Sequence, residues 1–156
     1  MASVHDVAAY ILQQQGSMST WKLQKLVYYS QAWHLAWDEE PIFSDPIQAW
    51  ANGPVVRALY NKHSGRFQVA SWPDGDPSNL TDSERETIDL VLEGYGHLSG
   101  RELSHLTHAE LPWQEAREGL EPTARSNRRI DPETMQAYYQ ALDADEDAPT
   151  VDSIRF

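Results

Sequence analysis

The chain has 156 residues and no cysteine. That length suits one domain able to bury a core without a staple, and the missing cysteines exclude a disulfide framework and every cysteine-ligated metal site. The formal net charge is −12, spread as −2 over residues 1–60, −4 over 61–130 and −6 over 131–156; nucleic-acid affinity rests on phosphate contacts, so this balance argues against direct DNA or RNA binding and suits a basic protein partner.

The first residues, MASVHDVAAYILQQQG, lack the basic n-region and cleavage site of a secretory leader. No apolar run approaches the ~18 residues a spanning helix needs. A soluble, cytoplasmic protein without membrane contact is expected. Ser3 with Asp6 reads as an N-cap opening a helix on Val4, Val7, Ala8, Ile11 and Leu12, with Gly16 as its stop. A longer helix is expected from about residue 19 to about 37. It is apolar on more than one stripe (Leu23, Leu26, Val27, Trp33, and Tyr29, Ala32, Ala36, Trp37), the pattern of a central buried helix.

Next comes IFSDPIQAWANGP, whose prolines and Asn-Gly exclude a long helix and predict short extended segments or a small hairpin. Pro54 reads as the first turn of a helix with Val55, Val56, Leu59 and Tyr60 on its apolar side. Residues 65–80 hold three Gly/Pro turn signals, predicting a surface loop with a short strand around 67–70. Thr81 with Glu84, and Ser99 with Glu102, are capping boxes opening two further helices. Pro112 opens a short helix, and Asp131-Pro132-Glu133 opens the last, carrying Met135, Tyr138, Tyr139 and Leu142. The expected fold is mainly α, a compact bundle of about seven helices with a small β-hairpin element. It occupies residues 1–142, with residues 143–156 as an acidic mobile tail.

Candidate chemistry is sparse. His105 and His108 are three apart on a helix, and Glu102 could join them on a metal, giving a small metal-dependent hydrolase as one function. No second carboxylate position follows from the spacing, and no H-E-x-x-H, nucleophile elbow, P-loop or dinucleotide fingerprint is present. No metal, cofactor or catalytic residue is therefore assigned, and the chain is read as a non-enzyme. Arg125, Arg128 and Arg129 form the one basic cluster, facing solvent, an anionic ligand or an acidic patch of the same chain. Six tryptophans and seven tyrosines exceed what one core face takes. Trp33 and Trp50 are expected in the core, whereas Trp21, Tyr28, Trp37 and Trp72 do not all fit one buried face.

Three blocks, STWKLQKLVYYSQAWHLAW, PIFSDPIQAWANGPVVRALY and LSGRELSHLTHAELPW, resemble the Panacea domain in its order. The likeness spans about residues 4–118 and rests on K-L-Q-K-L, A-W-x-x-G-P-V and T-H-x-E-x-P-W together. That family includes the proteolytic adaptor antitoxin SocA and phage-associated relatives. The resemblance implies a helical fold and an antitoxin, of prophage type, that neutralises a cognate toxin by direct protein contact. The alternative it implies is an adaptor delivering a bound toxin to a bacterial protease. Trp50, Gly53, Pro54, His108, Pro112 and Trp113 carry the motifs and are expected to be architectural. Lys22, Lys25 and Tyr28 alternate with the core residues Leu23, Leu26 and Tyr29 and are expected to face solvent. With Trp21, Arg57 and Tyr60 they form the candidate partner surface. The other place for Tyr28 is against the small β element.

Overall fold

The computed structural model describes residues 1–145. Seven α-helices and two small antiparallel strand pairs follow in the order α1 (Val4–Gln15), β1 (Met18–Ser19), α2 (Thr20–Asp38), β2 (Ile47–Trp50), β3 (Gly53–Val56), α3 (Arg57–His63), β4 (Gln68–Val69), α4 (Asp82–Tyr95), α5 (Gly100–His108), α6 (Leu111–Ala116) and α7 (Pro132–Ala144). The capping boxes of Ser3, Thr81 and Ser99 are formed as the sequence spells them, and Asp131 caps α7. α7 runs through Asp143 and Ala144 with Asp145 as its C-cap, so these three belong to the helix and its cap; residues 146–156 of the expected acidic tail lie outside the described residues.

α2 is the axis. It buries 15 of its 19 residues and packs against α1, α4, α5, α7 and β3, as a helix apolar around its circumference must. The core runs from Val4, Val7 and Ile11 of α1 through Leu23, Leu26 and Val27 to Ile88, Leu103 and Tyr139.

The Asn52-Gly53-Pro54 corner differs from expectation. It does not begin a helix: residues 53–56 form β3, paired with β2 in the register Ile47↔Val56 to Trp50↔Gly53, and α3 starts only at Arg57. Val55 and Val56 are consequently strand residues. Proline is tolerated because the opposite residue asks nothing of it. Ala49 donates its N–H to the Arg128 carbonyl at 2.8 Å, and its own carbonyl accepts from Arg117 Nη1 at 2.9 Å. Gly53 has a φ of +120°, and a Cβ there would sit 2.5 Å from Lys25 Cε and 3.2 Å from Thr107 Oγ1. The glycine is needed both for backbone conformation and for the close passage of Lys25. The expected strand near 67–70 is β4, pairing with β1 across some fifty residues of chain (Met18↔Val69).

Candidate functional site

The hairpin, the first turns of α2, and α3 enclose a cleft of about 780 Å³. Thr20, Trp21, Gln24 and Lys25 line it from α2, Trp50 to Asn52 and Val55 from the hairpin, Arg57, Tyr60 and His63 from α3, and residues 125–127 from the loop before α7. Three supports fix these walls. Gln24 clamps the end of β3, its Oε1 accepting from Val56 N at 2.9 Å and its Nε2 donating to Val56 O at 3.2 Å. Trp113 Nε1 donates to the Trp50 carbonyl at 2.9 Å, holding the hairpin end from α6. Arg117, buried, reaches Ala49 O at 2.9 Å and Ala124 O at 2.8 Å, so one guanidinium ties the 121–130 loop to the hairpin and brings Arg125 to the rim.

The cleft is aromatic and cationic. Arg57 stacks with its Cζ 5.2 Å from the Trp50 ring centre and 5.9 Å from that of Tyr60. Trp50 and Tyr60 meet edge-on at 4.9 Å, and Tyr60 meets His63 at 5.5 Å. Trp21 is 41% exposed, its Nε1 3.5 Å from the Asn52 carbonyl. Lys25 is 1% exposed and donates to the Pro54 carbonyl at 3.1 Å. Burial pushes its ammonium down to about 7, since no carboxylate compensates the lost hydration. Among the described residues, no Asp or Glu lines the cleft.

Further along α2 lies a second polar cluster, built in the opposite way. Glu110, the N-cap residue of α6, turns its carboxyl inward and accepts from Tyr29 Oη at 2.7 Å and Tyr139 Oη at 2.8 Å. Tyr28 and Tyr139 hydroxyls are 3.1 Å apart, Tyr29 stacks on Tyr95 at 4.2 Å, and Trp33 Nε1 donates to Tyr95 Oη at 2.9 Å. Burial pushes the Glu110 carboxyl up to about 7 even though the two tyrosine donors pull it down.

A family model described as antitoxin SocA-like, Panacea domain, matches residues 23–114, from the first turn of α2 to the middle of α6. The chain belongs to that family. No curated protein and no solved structure matches it. The matched span of the Panacea domain includes Lys25, Trp50, Gly53, Arg57, Tyr60 and Glu110; Trp21 and the 125–127 loop complete the cleft from outside it.

Four of the six sequence-derived surface candidates, Trp21, Lys25, Arg57 and Tyr60, converge on the cleft. Four assignments need correction. Lys25 and Tyr28 do not face solvent; both are 1% exposed, because a helix surrounded by four others and a hairpin has no free stripe for the alternate positions. Lys22 is half-buried and points elsewhere, donating to Gly96 O at 2.6 Å. Trp50, expected in the core, is only half-buried, its ring forming part of the cleft wall. Of the tryptophans left open, Trp21 and Trp37 are exposed and Trp72 is buried.

His108 stacks flat on Trp113 at 4.0 Å, beside the buried Pro112. Its Nε2 is buried without a hydrogen-bond partner among the described residues. Burial, then the charge of Lys25, lowers the affinity of its ring for a proton. Glu102 closes its capping box with Ser99, and among the described residues no three His, Cys, Asp or Glu are placed to share a metal. Glu110 stood in the T-H-x-E-x-P-W block with no role assigned to it, and Arg117 escaped the sequence reading. An acid just before L-P-W and an arginine in W-Q-E-A-R-E-G look like ordinary surface charge, and only tertiary contacts bury them.

Proposed function

We propose that this Panacea-domain chain is an antitoxin that neutralises a co-encoded toxin by direct protein–protein contact in the cytoplasm, and that the contact face surrounds the cleft. Family membership supports the role. The observation that carries the surface is the grouping of exposed Trp21 with the stacked Trp50, Arg57 and Tyr60. Trp, Tyr and Arg held in fixed positions are the residue types that dominate interface hot spots, because little side-chain entropy remains to be lost when a partner covers them. Neutralisation of this kind is occupancy and needs no turnover.

The test is growth rescue on co-expression with the product of the adjacent reading frame, paired with affinity measurement. Trp21→Ala combined with Arg57→Ala should abolish rescue and weaken binding by about thirtyfold or more, since truncating one hot-spot residue costs about 2 kcal/mol. Equal rescue and equal affinity would move the contact face away from the cleft. A wild-type chain that neither binds nor neutralises its neighbour's product would remove the antitoxin reading itself.

A further inference from the structure

Acidic side chains outnumber basic ones by 24 to 12 in this chain. Yet Lys25, Arg57 and Arg125 all line one cleft, and among the described residues none of them has a carboxylate within ion-pairing distance. Among the described residues, Arg57 is engaged by the faces of Trp50 and Tyr60. Lys25, fully buried, makes one hydrogen bond, to Pro54 O, leaving two of its three N–H donors open. A buried ammonium with one neutral acceptor is an under-satisfied group, and an anion beside it would restore both charge balance and hydrogen bonding.

We propose that the cleft binds a small phosphate monoester carrying an aromatic ring, of the nucleoside monophosphate class. The three cations match a dianion better than a single carboxylate, which one arginine would satisfy. Trp21, 41% exposed, offers its ring for a base, and Asn52, Ser126 and Asn127 offer polar edges at the rim. A volume of about 780 Å³ lies within the range of small-molecule sites, roughly 300–1,000 Å³. The ligand is a mononucleotide rather than a nucleic acid strand. A charge of −12 repels a polyanion along its length, whereas a compact dianion inside the cleft feels mainly the adjacent cations, since screening sets in within about 8 Å at physiological salt. This inference does not depend on the antitoxin reading.

The experiment titrates the purified full chain with the four ribonucleoside monophosphates, the four nucleosides, inorganic phosphate and a single-stranded oligonucleotide. Tryptophan fluorescence and calorimetry report binding. At least one monophosphate should saturate below ~1 mM and bind about tenfold or more tighter than its nucleoside or phosphate alone. Arg57→Ala and Arg125→Ala should each weaken it about fivefold or more, with unchanged melting. Arg101→Ala, outside the cleft, should not. Calorimetry in buffers of different ionisation enthalpy should show proton uptake slightly above neutral pH, as Lys25 recharges on binding. No saturable response to any monophosphate by ~10 mM would overturn the proposal. So would phosphate binding as tightly as the nucleotide, or an oligonucleotide binding more tightly than any monomer.

Discussion

Lys25 and Tyr28 sit three residues apart on α2, equally buried, and they belong to two different kinds of interior. Around Tyr28 every polar group has a partner: Tyr139, Tyr29 and Glu110 exchange hydrogen bonds of 2.7–3.1 Å, and the tyrosine rings pack edge-on or stacked. Around Lys25 the partners run out after one carbonyl, and Arg57 and Arg125, which line the same cleft, offer no opposite charge. A satisfied buried network fixes α7 and α6 on the axis and has no capacity left for a ligand. An under-satisfied one beside an open cleft keeps free donors for whatever arrives. The same helix therefore makes the site at its N-terminal turns and the frame further along its length.

The largest expected effect probes the Lys25 side. Gly53→Val places a β-branched residue at a φ of +120° and drives its Cβ into Lys25 Cε, 2.5 Å away. Strain of about 1–3 kcal/mol plus the collision should cost about 3 kcal/mol or more in all. At roughly 2–4 °C per kcal/mol for a chain of this size, the melting temperature should fall by at least about 6 °C. An unchanged melting curve would mean that Lys25 does not pass beneath the turn.

Next comes a contrast in pH dependence, because the two buried charges titrate with opposite sign. The Glu110 carboxyl rises from 4.5 to about 7. Between those values the folded chain holds a proton the unfolded chain has lost, so stability from this group is complete below about 4.5 and falls as pH rises to 7. The total is about 3 kcal/mol. The Lys25 ammonium drops from 10.5 to about 7. Between those values the unfolded chain carries the extra proton, so its contribution rises with pH above 7. Chemical denaturation at several pH values should show Glu110→Gln flattening the slope only on the acid side and Lys25→Met only on the alkaline side. A single variant flattening both limbs would show that the two interiors are coupled.

The smallest effect on stability should come from the cleft surface. Trp21→Ala and Arg57→Ala, at exposed positions, should change unfolding free energy by about 0.5 kcal/mol or less. A large loss would make the Trp50–Arg57–Tyr60 stack part of the frame, and the distinction between the two regions along α2 would fail.

Local signals in the sequence determined the helices. Ser3/Asp6, Thr81/Glu84, Ser99/Glu102 and Asp131 satisfy orphan amides within three residues, so each start is legible without knowledge of the rest of the chain. The all-round apolar pattern of residues 20–38 likewise marked the axis, because only a helix enclosed on every side carries it. The corner at Gly53 was legible as a corner. Its strand identity was not, because pairing with residues 47–50 is a property of two segments together. Tertiary structure alone decided which side chains of K-L-Q-K-L-V-Y-Y reach solvent. Alternation along a helix predicts an exposed stripe only when one side is left uncovered, and α1, α4, α5, α7 and β3 together leave Lys25 and Tyr28 none. It also decided that Glu110 and Arg117 point inward, and that Trp21, Arg57, Tyr60 and Arg125, spread over a hundred residues, share one cleft. Charge and aromaticity are written in the sequence; proximity arises only when the chain closes on itself.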